Sequence, residues 1–89
     1  MKIDREVLLS DLKTIVTPYA EDAEALQNIS EKTDFIRDLK INSANLVDVV
    51  LDIEEKFGIE IDNDAMARML DVSTAIEIIE EKLAALDRE

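Results

Sequence analysis

Residues that break or reverse a chain are nearly absent: 89 residues hold one glycine, Gly58, and one proline, Pro18. Tight hairpins rely on glycine-type turns with positive φ, so a chain this poor in glycine has few ways to turn one strand back on another. Leu, Ala, Glu and Lys, which enter helices at little cost, fill much of the rest. An all-α fold follows. At this length the chain is one domain, residues 1–89, burying roughly 60–65% of its unfolded surface. Because aromatic residues are only 3% against 47% apolar, the core must be built from aliphatic side chains and Met.

The two breakers also divide the chain. Asp4 to about Thr17 reads as a first helix, with Leu8, Leu12 and Ile15 at helical spacing, and Pro18 disfavours helix at the residue before it. From Pro18 to Asn42 no period is sustained. That stretch reads as a long, partly ordered connection, with one or two helical turns within Glu21–Leu26, and Ile29, Phe35, Ile36, Leu39 and Ile41 pinning it to the body. A second helix runs from about Ser43 to Phe57 and stops at Gly58, which suits a left-handed cap. Its Leu46, Val49, Val50, Ile53 and Phe57 fall in one arc roughly 100° wide, the core-facing stripe. Ile59-Glu60-Ile61 alternates like an extended connector. Asp62 or Asp64 caps a brief third helix with Met66, Ala67, Met69 and Leu70, and Asp71 caps a fourth through about Leu86. In the last, Val72, Ala75, Ile76, Ile79, Leu83 and Leu86 share a face. The architecture expected is a four-helix bundle: three longer helices, one short third helix and a long first loop.

Chemistry is narrowed by what is missing. Without Cys or His there is no thiolate, no imidazole base and no nitrogen or sulfur metal ligand. Asp62-Asn63-Asp64 begins like a calcium loop, but Met66 holds the next ligand position and Ala67 the turn position that wants Gly, so no metal site is expected. No catalytic residues are assigned, since Ser43 has no imidazole to activate it and no nearby Lys placed to replace one. No apolar run reaches membrane-spanning length and no signal-type N-terminus is present. A cytoplasmic monomer that inserts in no membrane is the expectation.

The net charge is −12, from 22 acids and 10 bases, and it is concentrated. Between Ser43 and Asp64 stand seven acids (Asp48, Asp52, Glu54, Glu55, Glu60, Asp62, Asp64) against Lys56 alone. Such a face repels nucleic acid and attracts partners with Lys/Arg patches, chiefly by speeding encounter. Acids also serve solubility in any small domain, but here they crowd around one serine. Val47 and Leu51 fall outside the core arc, at i and i+4 one turn from Ser43, beside Ala44, Asp48 and Glu55; together they read as a docking surface. Ser43 itself stands at a helix start, which leaves its hydroxyl in water beside unpaired backbone N–H groups that favour an attached phosphate.

In this region, Phe35-Ile36-Arg37-Asp38-Leu39 through Asn42-Ser43-Ala44 and the acidic helix after it, the chain resembles the acyl carrier proteins, whose usual motif is Asp-Ser-Leu. Phe35, the Asp38-Leu39 pair, Glu54-Glu55 with Phe57, and Ile59-Glu60-Ile61 extend the resemblance over about Ile3 to Leu86. It implies that Ser43 is esterified by 4′-phosphopantetheine from coenzyme A, whose thiol carries acyl groups as thioesters; a chain without Cys thereby does thioester chemistry without being an enzyme. It implies as partners a phosphopantetheinyl transferase and acyl-transferring or synthase enzymes of fatty acid, lipid or polyketide-type biosynthesis, with basic docking patches meeting Asn42, Ala44, Val47, Asp48, Leu51, Glu54 and Glu55. Bound acyl chains would slip between the second and third helices, among Phe35, Ile53, Ile61, Met66, Met69 and Ala75. Asn42 and Ala44 depart from the motif: one charge is lost before the serine, and Leu becomes Ala, worth about 1–2 kcal/mol of interface burial if that side chain is a contact. The alternative is a carrier-shaped acidic interaction protein that bears no arm.

Overall fold

The computed structural model describes residues 4–87. Five helices follow one another: α1 Arg5–Val16, α2 Ala23–Gln27, α3 Ser43–Phe57, α4 Asn63–Arg68 and α5 Val72–Asp87. No strand occurs among the described residues, only one isolated bridge between Asp34 and Asp71. The expected bundle is present, with α2 as the short helical turn inside the long first connection. No helix among the described residues is long and apolar enough to cross a membrane. The limits expected at Ile3 and at residues 1 and 89 lie outside the described residues.

Each helix starts on an Asp or Asn because a short polar side chain can accept from a backbone N–H that the helix leaves unpaired. Asp4 precedes α1, and Asp22 Oδ1 accepts from Ala25 N at 3.0 Å ahead of α2. Asp62 accepts from Ala65 N at 2.8 Å, and Asp71 from Thr74 N at 2.8 Å. Part of the negative charge is therefore structural. These caps each stabilise by about 1 kcal/mol, independently of any partner.

One core joins the elements. Leu8, Leu12 and Val16 of α1 meet Val49, Val50 and Ile53 of α3 and Ile76 and Ile79 of α5, and α1 packs on both longer helices. The connector alternates as its sequence suggests, Ile59 and Ile61 inward and Glu60 outward. Several apolar assignments change, and the short helix α4 ends at Arg68, which leaves Met69 as its cap and Leu70 outside it and exposed. Leu86 is 47% exposed, one helical turn beyond half-buried Leu83, whereas Ile78, off the predicted stripe, is buried.

The long connection is held by backbone bonds. Phe35 N donates to Leu70 O at 3.0 Å, Val72 N to Thr33 O at 2.9 Å and Ser73 N to Glu31 O at 2.9 Å, so the 31–35 turn is laced to the α4–α5 junction. Phe35, Leu39 and Ile41 then point inward and are buried, while Ile29 is half-buried. Ile36 is 40% exposed and does not act as a pin: its neighbour Phe35 takes the inward position in this turn.

Candidate functional site

The head of α3 is organised by Asn42. In an extended conformation (φ −63°, ψ 136°), its Oδ1 accepts from Ala44 N at 2.9 Å, and its carbonyl accepts from Asn45 N at 2.8 Å and Leu46 N at 3.2 Å. Ser43 is consequently the first helical residue, and it is exposed. The expectation of unpaired N–H groups beside it is narrowed: Asn42 takes those of Ala44 and Asn45, Leu46 N makes the ordinary bond one turn back, and the N–H of Ser43 itself meets no acceptor among the described residues. What persists for an anion is the positive end of a fifteen-residue helix. The first turn carries no acid.

Just before this head, Lys40 adopts φ 60°, a left-handed conformation disfavoured for a residue with a Cβ. From Leu39 to Val47 Lys40 is the only charged residue, so a short positive segment interrupts an otherwise anionic chain.

The outward face of α3 brings the expected docking residues together. Val47 is 47% and Leu51 55% exposed, with Asn42, Ala44, Asp48 and Glu55 exposed around them. Glu54 is only half-exposed, and its Oε2 accepts from Ile61 N at 2.6 Å, tying α3 to the connector before α4. Sequence reasoning missed the neighbour of this face, Tyr19, whose hydroxyl donates to Asp52 Oδ2 at 2.9 Å. Their separation of 33 residues gives no local signal. That bond to Asp52, then burial, and then the negative charge of Asp52 and Asp48 raise the phenol above its ordinary value of 10.0.

The residues expected around an acyl chain are also neighbours in the core. Phe35, Ile53, Met69 and Ala75 are fully buried, Ile61 nearly so, and Met66 half-buried at the edge. Met66 and Met69 supply unbranched, adaptable side chains along that seam. Among the described residues no group of His, Cys, Asp or Glu is arranged to hold a metal ion.

The chemistry available is that of a solvent-facing alcohol at a positive helix end, flanked by an acidic face with an apolar centre. A covalent phosphoester fits there, since Ser43 is exposed and no carboxylate shares its helical turn.

Comparison with known proteins agrees with that geometry. The family described as "Phosphopantetheine attachment site" matches residues 10–81. An acyl carrier protein of Coprothermobacter proteolyticus is 30% identical over 81 residues, covering 91% of this chain and 96% of its own. One from Sinorhizobium fredii is 38% identical over 72 residues, covering 81% and 88%. The solved structure of the acyl carrier protein from Enterococcus faecalis superposes with a TM-score of 0.72 over 90% of this chain and 99% of its own, at 21% identity, a likeness of fold.

Proposed function

The chain belongs to the acyl carrier protein family, with 4′-phosphopantetheine as its cofactor, and from that premise we propose that Ser43 bears the arm and that this one domain, residues 1–89, delivers acyl or related intermediates to biosynthetic enzymes. The observation that carries the assignment is an exposed hydroxyl on the first residue of α3, at the positive end of the helix, in a turn without acids. When bound, the arm supplies the thiol on which acyl groups ride as thioesters. The protein's own residues hold and present; they do not catalyse.

Three parts share the work. Asn42 sets the first turn so that Ser43 faces solvent. Val47 and Leu51 offer apolar area to a partner, while Asp48, Glu55 and the uncommitted oxygen of Glu54 attract its Lys and Arg side chains, with Asn42 and Ala44 at the margin. Phe35, Ile53, Ile61, Met66, Met69 and Ala75 line the seam that parts to shelter a carried chain. We assign the partners as a phosphopantetheinyl transferase and acyl-transferring or synthase enzymes, and place the carrier in the cytoplasm as a monomer.

Intact mass after incubation with coenzyme A and a broad-specificity transferase tests the assignment. Wild type gains one arm; Ser43→Ala gains none. If wild type stays unmodified while a control carrier is loaded, the attachment reading falls. A partner bound equally by wild type and Ser43→Ala would then mark an acidic interaction protein without a tether.

A further inference from the structure

Lys40 combines three features that its position alone does not require. Its backbone stands at φ 60°, where a side chain is costly. It is exposed, and among the described residues no ion pair includes it. It is also the sole charge between Leu39 and Val47. Lys40 borders a shallow cleft formed within the first connection, and the carboxylates beside it there have other duties: Asp22 Oδ1 accepts from Ala25 N, and Asp38 Oδ2 accepts from Asp34 N at 2.8 Å. Arg37, at the same cleft, lies 3.7 Å from the other oxygen of Asp38.

A phosphodiester on Ser43 brings one negative charge to a helix start whose N–H groups at Ala44, Asn45 and Leu46 already serve Asn42. The positive helix end answers part of that charge, and a cation within reach adds to it. Three residues of chain span at most about 11 Å, which bounds the distance between the Lys40 and Ser43 backbones. The flexible four-carbon stem of a lysine covers much of such a gap and ends in a compact point charge with three donors. We infer that Lys40 is the cation that pairs with the phosphodiester of the arm, fixing its root against the head of α3. The inference rests on Ser43 as the attachment residue. In this arrangement the missing acid at Asn42 also has a use, because a carboxylate there would compete for the same ammonium.

The test compares unloaded and arm-loaded wild type, with loading verified by mass. Brief acetylation of lysines, read peptide by peptide, should slow at Lys40 about twofold to fivefold on loading, the size of an exposed ion pair, and leave Lys13 and Lys56 unchanged. The difference should collapse in about 1 M salt. In a second readout, the ³¹P resonance of the loaded protein should move in Lys40→Gln and stay near wild type in Lys40→Arg. Equal labelling of Lys40 in both forms, with an unmoved resonance in Lys40→Gln, overturns the pairing while leaving Ser43 as the site. No gain of mass on wild type when a control carrier is loaded takes down both.

Discussion

The two ends of α3 solve the same backbone problem with different residues. Gly58, just past its C-terminus, has φ 66°, and Lys40, shortly before its N-terminus, has φ 60°. At the tail glycine meets the requirement without strain, and the closure is thorough: Glu54 O accepts from Gly58 N at 2.9 Å and Ile59 N at 3.2 Å, while the Glu54 carboxylate takes Ile61 N. At the head a lysine accepts a conformation that costs a residue with a Cβ about 1–2 kcal/mol. The tail is arranged for stability, with Ile59 and Ile61 sunk in the core. The head leaves an alcohol in water and keeps a charge where glycine would relieve the backbone. Strain retained beside an exposed reactive group is a pattern that points to function.

Mutations at both ends can break this contrast, and the largest effect is expected at the tail. Ile59→Ala should cost roughly 2–5 kcal/mol through lost burial and a cavity, whereas exposed Ser43→Ala should stay within about 0.5 kcal/mol. Urea denaturation of the pair decides it; comparable losses would erase the distinction. Next, Asn42→Ala should cost about 1 kcal/mol by removing the side-chain acceptor for Ala44 N, measured in the same way. A loss near zero would mean that the head is not organised by its cap.

The two left-handed positions should respond with opposite signs. Gly58→Ala should destabilise by about 1 kcal/mol from φ alone, since an added Cβ would meet nothing within 4 Å. Lys40→Gly should stabilise by about 0.5 kcal/mol, the relief of strain less the extra freedom glycine gives the unfolded chain. Thermal melts of both variants check the signs, and a destabilised Lys40→Gly would show that the lysine is held there by packing.

The smallest effect sharpens the middle of α3. Tyr19 is the only tyrosine and there is no Trp, so an alkaline absorbance titration reads one phenol. Its midpoint should lie above 10.0 in wild type and fall toward that value in Asp52→Asn. Because the folded value is raised, the stability this bond contributes is fully present below the unfolded value of 10.0 and is lost as pH climbs through the folded one. Tyr19→Phe should remove that high-pH loss. Identical midpoints in wild type and Asp52→Asn would dissolve the link between the first connection and α3.

Legibility followed the range of the interactions. The bounds of α3 were readable because Asn42 and Gly58 are local signals whose side chains, or lack of one, act within a turn. The place of Ser43 as the first residue of α3 was readable for the same reason. Ile36 and Leu86 were misplaced because periodicity tells which way a residue faces but not whether a neighbour is there to cover it. Tyr19 with Asp52 left no trace, since their contact exists only after α1 and α3 have packed.

By itself, then, the amino-acid order determined an acidic all-helical chain, its main helix limits and a serine at the start of an acidic helix, since capping, periodicity and charge act between near neighbours. Tertiary structure alone decided how the long connection is laced to the α4–α5 junction and which aliphatics end up covered. Those outcomes depend on bonds between segments tens of residues apart, and each becomes favourable only when the shared core has brought its partners within reach.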